Sequence, residues 1–245
     1  MKACSRFNLL LFVVSLALLG SASGALAWGP LPMPQAGVAA QQQAQSVALV
    51  GQIGGLTSAV AIQDSYAYIG VGPRLVVLDV ADPAKPVVVG QTGVLPGVVQ
   101  DVAVAGDYAY VAAAYSGLRI VNVSNPAAPT EAGYCDTPGT AYGVAVAGNY
   151  AYVADYSGLR IVNVSNPVAP TEAGYYDAPG NAVDVAVAGN YAYVAGGSFG
   201  LRIVNVANPA APTQVGYYYF ALGYTLGVAV AGNHAVVSGR PRWST

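Results

Sequence analysis

From residue 46 onward, apolar and polar positions alternate in short runs that return on a fixed period. One unit can be read from residue 141 to 180. Ala141–Val146 alternates and is rich in valine, which predicts a strand, a. Gly148-Asn149 predicts a two-residue hairpin turn, because both residue types tolerate positive φ. Tyr150–Ala154 reads as strand b, broken by Ser157-Gly158. Leu159–Val164 reads as strand c. It is apolar on both parities except at Arg160 and Asn163, as expected of a strand covered on both faces. Asn166-Pro167 ends it, Thr171–Tyr176 reads as strand d, and Pro179-Gly180 turns the chain into the next unit.

The same order recurs along the chain. The turns AGDYAYV, AGNYAYV, AGNYAYV and AGNHAVV set Gly106, Gly148, Gly189 and Gly232 in equivalent places, with Asp64 in the first copy, at spacings of 42, 42, 41 and 43 residues. Strand c reads RLVVLDVADP, then GLRIVNVSNP twice, then GLRIVNVANP. Repeats of this length are stacked supersecondary units, none of which can bury a core alone. Four strands at roughly ten residues per strand and turn fit a propeller blade. Helical repeats are excluded by the β-branched residues, Gly and Pro that fill each unit. A β-solenoid is the rival architecture, but it would show a shorter internal period than this one.

The strand-c blocks RLVVLDVADP and GLRIVNVSNP, the G-[DN]-Y-A-Y turn and the [SAD]-[ND]-P break resemble the LVIVD repeat. The resemblance extends over about residues 46–238. It implies an all-β, propeller-like fold and a secreted or cell-surface setting in bacteria or archaea, and it implies no established reaction. The acidic residue common in that family's strand c is kept at Asp79, whereas Asn122, Asn163 and Asn205 replace it in the later copies.

Counting the units gives one d strand, four complete blades and a lone a–b hairpin. The d strands are anchored on Gly51, Gly90, Gly133, Gly174 and Gly216, and the c strands end in Val80, Val123, Val164 and Val206. The hairpin at Leu226–Val237 lacks a c strand. Aligning Gly239 with Gly158 would put Arg240 and Arg242 at buried positions and Pro241 inside the ladder. The order reads as a truncated or frame-changed piece of a larger ring, with an edge left open to self-association. The alternative is a five-blade ring with one defective blade, completed by a strand near Val47–Gln52.

The N-terminus carries a different pattern. Lys2 and Arg6 precede an apolar run from Leu9 to Leu19, and Ala25-Leu26-Ala27 supplies a small-x-small site. Residues 1–27 are therefore expected to be a Sec-type signal peptide cleaved after Ala27, directing the protein to a secreted, periplasmic or cell-surface location. Residues 28–45, rich in Pro, Gln and Ala, read as a flexible leader, and 46–245 as the repeat domain. No transmembrane span is expected in the mature chain, whose apolar runs stay well short of the ~20 residues a helix needs.

Composition narrows the function. Of the 245 residues 55 % are hydrophobic and 8 % charged, far from an ordinary soluble surface. Loss of Lys2 and Arg6 leaves 7 basic against 11 acidic residues, without the clustered cations that nucleic acid requires. Cys135 alone remains of the two cysteines, which excludes an intrachain disulfide after cleavage. His234 and Cys135 stand at positions that other repeats give to tyrosine, which makes them packing variants. The sequons at Asn122 and Asn163 fall within strand c, where glycosylation is not expected. No metal site or cofactor is implied.

The Tyr-Ala-Tyr pairs of strand b (such as Tyr108/Tyr110 and Tyr150/Tyr152) are expected to pack between blades, with hydroxyls on polar partners. Arg119, Arg160 and Arg202 are equivalent and are expected to form an inter-blade ladder with Glu131, Glu172 or Asp101. The candidate binding surface is the end of the blades where b–c and d–a loops emerge together. Tyr115, Tyr156 and Phe199 lie in the b–c loops, with Asp155 beside Tyr156. Asp136 and Asp177 enter the d–a turns, and Asp101 and Asp184 begin inner strands nearby. Aromatic platforms among carboxylates suit a protein or a carbohydrate partner. The expected function is a non-enzymatic β-propeller interaction scaffold. The alternatives are an extracytoplasmic glycan-active enzyme using Asp101 or Asp184, and a structural repeat fragment without its own activity.

Overall fold

The computed structural model describes residues 57–220 and 223–241. The chain divides into two units, Met1–Gln45 and Ser46–Thr245, and every described residue belongs to the second. The expected signal peptide at 1–27, the leader at 28–45, the strand near Val47–Gln52 and Arg242 lie outside the described residues.

Every regular element among the described residues is a β-strand. Sheet I contains β1 (Thr57–Gln63), β2 (Tyr66–Val71), β3 (Arg74–Asp79) and β4 (Val87–Gln91). Sheet II contains β5 (Asp101–Ala105), β6 (Tyr108–Ala112), β7 (Leu118–Asn122) and β8 (Thr130–Cys135). Sheet III contains β9 (Gly143–Ala147), β10 (Tyr150–Ala154), β11 (Tyr156–Asn163) and β12 (Thr171–Ala182). Sheet IV contains β13 (Asp184–Ala188), β14 (Tyr191–Ala195), β15 (Leu201–Asn205) and β16 (Thr213–Tyr218). A hairpin of β17 (Gly223–Ala231) and β18 (His234–Pro241) follows. Each four-stranded sheet is an antiparallel meander in chain order.

The a–b turns form as the sequence demands, with positive φ at Gly106, Gly148, Gly189 and Gly232, and at Asp64 in the first copy. The valine after each strand c ties the sheet together. Val80, Val123, Val164 and Val206 donate their N–H to the second turn residue of their own a–b hairpin, at 2.7–2.8 Å.

First strands of successive sheets lie against one another, β1 on β5, β5 on β9, β9 on β13 and β13 on β17. The core lies between sheets. Tyr68, Leu75 and Val77 of sheet I pack with Val102, Val111 and Val121 of sheet II. Tyr110, Leu118 and Ile120 pack with Val144, Val153 and Val162, and Tyr152, Leu159 and Ile161 pack with Val185, Val194 and Val204. The second tyrosine of strand b (Tyr68, Tyr110, Tyr152) fills the space between neighbours as expected, whereas Tyr191 of sheet IV is exposed.

Three local expectations are corrected. Strand b ends at Ala154 as expected, but Asp155 and not Ser157-Gly158 separates it from strand c, since β11 already starts at Tyr156 and pairs it with Ala182. Pro179-Gly180 accordingly lies within the long β12, where a register shift accommodates the extra residues. Gly239-Arg240-Pro241 continues strand b opposite Gly223–Thr225, so the chain extends the hairpin and does not turn back. Arg240 is thereby left exposed, which avoids the cost of burying it.

Candidate functional site

Chain order alone puts the b–c and d–a connections at the same end of an antiparallel meander. The contacts bring them together. A Cβ at Gly97 would collide with the Ala113 carbonyl, one at Gly139 with the Asp155 carbonyl, and one at Gly180 with the Phe199 ring. In sheets II, III and IV the b–c loop thus packs on the chain entering its own sheet. Bridges from Ala114 to Ala141 and from Gly197 to Thr225 tie the loops of sheets II and IV to the chain entering the next unit.

This rim displays the expected aromatic residues. Tyr115 is 87 % exposed, Tyr156 45 % and Phe199 43 %. The Tyr156 ring lies 6.0 Å from that of Tyr142, in a tilted arrangement. Tyr156 has φ of 68°, a conformation that an aromatic side chain adopts at a cost. Its neighbour Asp155 holds it there. The carboxylate is fully buried and accepts from Gly158 N at 3.0 Å, Gly139 N at 3.3 Å and Arg160 Nε at 2.9 Å.

The other rim carboxylates are also engaged. Asp136 bonds Arg119 at 3.0 Å, and Asp177 faces Arg160 at 3.8 Å. Glu131 reaches Arg119 at 3.4 Å, and Arg119 Nε donates to the Ser116 carbonyl at 3.0 Å. The arginines stack on the strand-d tyrosine directly opposite. Arg119 lies 4.4 Å from the centroid of Tyr134, Arg160 4.8 Å from Tyr175 and Arg202 5.0 Å from Tyr217. The expected inter-blade ladder is therefore corrected. Of its three acids, Glu131 pairs with an arginine, and it does so within one sheet. Strand alternation explains this, because cross-strand neighbours share a face.

Asp101 and Asp184 are equivalent staples. Asp101 accepts from its neighbour Val102 N and from Val144 N of the next sheet, both at 2.8 Å. Asp184 does the same with Val185 N at 2.8 Å and Val228 N at 2.7 Å. Burial is the largest influence on both, pushing Asp101 up to about 7 and Asp184 up to about 6. The backbone bonds oppose the rise, and Asp184 adds to that of Asp101. Gly143 stands between them in the strand order, where a Cβ would lie 2.7 Å from the Asp184 Cα.

Cys135 pairs with Leu118 as Tyr176 pairs with Leu159, in keeping with repeat drift. Burial raises its thiol pKa, with Glu172 and Asp136 adding to the effect. His234 opens β18, in the register of Tyr108. Among the described residues no three His, Cys, Asp or Glu side chains converge at metal-binding distance, and no helix is long and apolar enough to cross a membrane.

The four sheets coincide with a known sequence unit, for the LVIVD repeat matches residues 54–92, 96–137, 138–178 and 179–219. The chain belongs to the LVIVD repeat family. The LVIVD match ends at 219, which places the β17–β18 hairpin beyond it and makes it shorter than the sequence resemblance to about 238. No curated protein matches the chain. Two computationally designed proteins share the fold. Ika8 aligns with a TM-score of 0.61 at 7 % identity, over 75 % of this chain and 55 % of its own. Ika4 aligns with a TM-score of 0.54 at 9 % identity, over 64 % of this chain and 95 % of its own. The LVIVD chain thus spans about half the length of Ika8.

The repeat also explains its polar signature. Oδ1 of Asp79, Asn122, Asn163 and Asn205 accepts from the N–H two residues on, at 2.8–3.0 Å. Asp82, Asn125 and Asn208 repeat the bond three residues later. These Asx turns need an oxygen, not a charge, so Asn replaces Asp freely. The sequon asparagines act as turn formers.

Proposed function

We propose that this LVIVD protein is an exported, non-enzymatic β-propeller scaffold that binds a protein or glycan partner through its b–c/d–a rim. The neighbouring first strands of successive sheets support a common axis, as a propeller requires. The observation that carries the binding role is the aromatic display. Tyr115 and Phe199 remain exposed on b–c loops and Tyr156 at the start of β11, where packed connections and buried bonds hold the backbone. Rigid aromatic anchors lose little entropy on binding.

The test is affinity electrophoresis through gels containing soluble neutral or acidic polysaccharides, alongside capture of surface proteins from the producing cell. Wild type should be retarded or captured. The triple variant Tyr115→Ala, Tyr156→Ala, Phe199→Ala should lose at least about tenfold in affinity while still unfolding cooperatively in urea. Unchanged binding by the triple variant would sink the rim assignment. The enzymatic alternative rests on the raised Asp101 and Asp184 carboxyls, and glycan cleavage abolished by Asp101→Asn would favour it.

A further inference from the structure

A guanidinium removed from water needs hydrogen bonds or a counter-charge. Sheets II, III and IV each bury one at the second position of strand c, leaving Arg119, Arg160 and Arg202 equally 8 % exposed. Sheet II supplies Glu131 from strand d, Asp136 from the d–a turn and the Ser116 carbonyl from the b–c loop. Sheet III supplies Asp155 from the b–c loop and Asp177 from strand d.

Sheet IV keeps the arginine and its tyrosine but none of the carboxylates. Ladder register puts Gln214 at the place of Glu131, opposite Val204 as Glu131 is opposite Val121. Tyr219 follows Tyr218 as Asp136 follows Cys135 and Asp177 follows Tyr176. Gly196 takes the place of Asp155, since each donates its N–H to the loop-closing glycine, Gly200 or Gly158. Gly196 therefore offers no side chain at this place, and a Cβ there would lie 3.8 Å from the Arg202 Cγ. The Gln214 amide oxygen is occupied by the Tyr176 hydroxyl at 2.6 Å. Arg202 Nε is buried without a hydrogen-bond partner among the described residues.

We propose that Arg202 is a receptor for an acidic side chain of a partner polypeptide, whose carboxylate completes between molecules the pair that sheets II and III complete within one. The two sibling sites argue for this occupant, because there the same guanidinium is met by an aspartate or glutamate side chain. A planar guanidinium matches a carboxylate with two parallel bonds, and the Tyr217 ring fixes its plane. The site uses none of the aromatic rim side chains, so it stands whether or not the rim binds.

The test follows the arginine Nε–H signals of the ¹⁵N-labelled full chain by NMR, with sodium acetate titrated against sodium chloride at equal ionic strength. The Arg202 signal, assigned by its absence in Arg202→Lys, should move saturably with acetate, while those of Arg119 and Arg160 should not. Gly196→Asp, which restores the carboxylate of sheet III, should raise the acetate concentration needed at least about tenfold. Tyr219→Asp makes the same test should Gly196→Asp fail to fold. Equal shifts in acetate and chloride, or a full acetate response in either folded variant, would overturn the proposal. The peptide acetyl-Gly-Glu-Gly-amide should bind and its glutamine counterpart should not. Glucuronate saturating the site at lower concentration than the peptide would assign it to an acidic sugar and overturn the polypeptide reading.

Discussion

At the scale of single residues, this protein places its few charges where the backbone needs them. Asp155 is an example, accepting three bonds around a strained tyrosine. Asp155→Ala leaves Arg160 without its closest partner and two loop N–H groups unpaired, and should cost about 3–5 kcal/mol in urea unfolding. Asp101 and Asp184 set a pH dependence instead. Their folded values of about 7 and about 6 lie above the ordinary 3.8, so the folded chain holds protons that the unfolded chain releases. This contribution to stability is full below the unfolded value and is lost as pH rises through about 6 and about 7. The urea midpoint should therefore be higher at pH 5 than at pH 8, and the double variant Asp101→Ala, Asp184→Ala should flatten that slope. A midpoint rising from pH 5 to pH 8 would contradict the assignment.

At the scale of elements, the repeat shows which parts of a strand are dictated by its own sheet and which by the next one. The strand-d glycine belongs to the second class. A Cβ at Gly133 would collide with the Pro167 carbonyl of sheet III, and one at Gly174 with the Pro209 carbonyl of sheet IV. Gly216 meets only Ile203 of its own sheet, at 3.6 Å. Gly133→Ala should thus cost about 1–3 kcal/mol, and Gly216→Ala less than about 0.5 kcal/mol, in the same urea assay. Equal costs would mean that docking of the c–d turn is not what fixes this glycine. The strands themselves were legible because valine alternation, Gly-Asn turns and Asn-Pro breaks act locally. Of the counter-ions, Glu131 on Arg119 was legible and Asp136, Asp155 and Asp177 were not. The carboxylates on Arg119 and Arg160 come from strand d, the d–a turn and the b–c loop, and no sequence period links those three places. The b–c loop of sheet III is also one residue shorter than its neighbours, which shifts Asp155 inward and starts β11 early.

At the scale of the whole repeat domain, stability is a sum of sheets and the interfaces between them. Those interfaces are unequal. Sheets II and III meet over Leu118, Ile120, Val144, Val153 and Val162, all buried, whereas sheet IV and the hairpin bury only Ala195, Leu201 and Val228 between them, with Val183, Ala186, Tyr193 and Val237 half-buried around these. On the hairpin Val236, Leu226 and Tyr224 remain exposed. With less apolar area removed from water, the β17–β18 unit should open without the rest of the domain. Hydrogen exchange followed by mass spectrometry in low urea should find β17–β18 amides exchanging through an opening at least about 2 kcal/mol below that of β10 and β11. Ile161→Ala should lower the exchange free energy of sheets III and IV together, while Val236→Ala should leave both unchanged. Hairpin amides exchanging only with global unfolding would instead mean that Asp184, through its bond to Val228, locks the hairpin to sheet IV as firmly as the buried cores lock the sheets to one another.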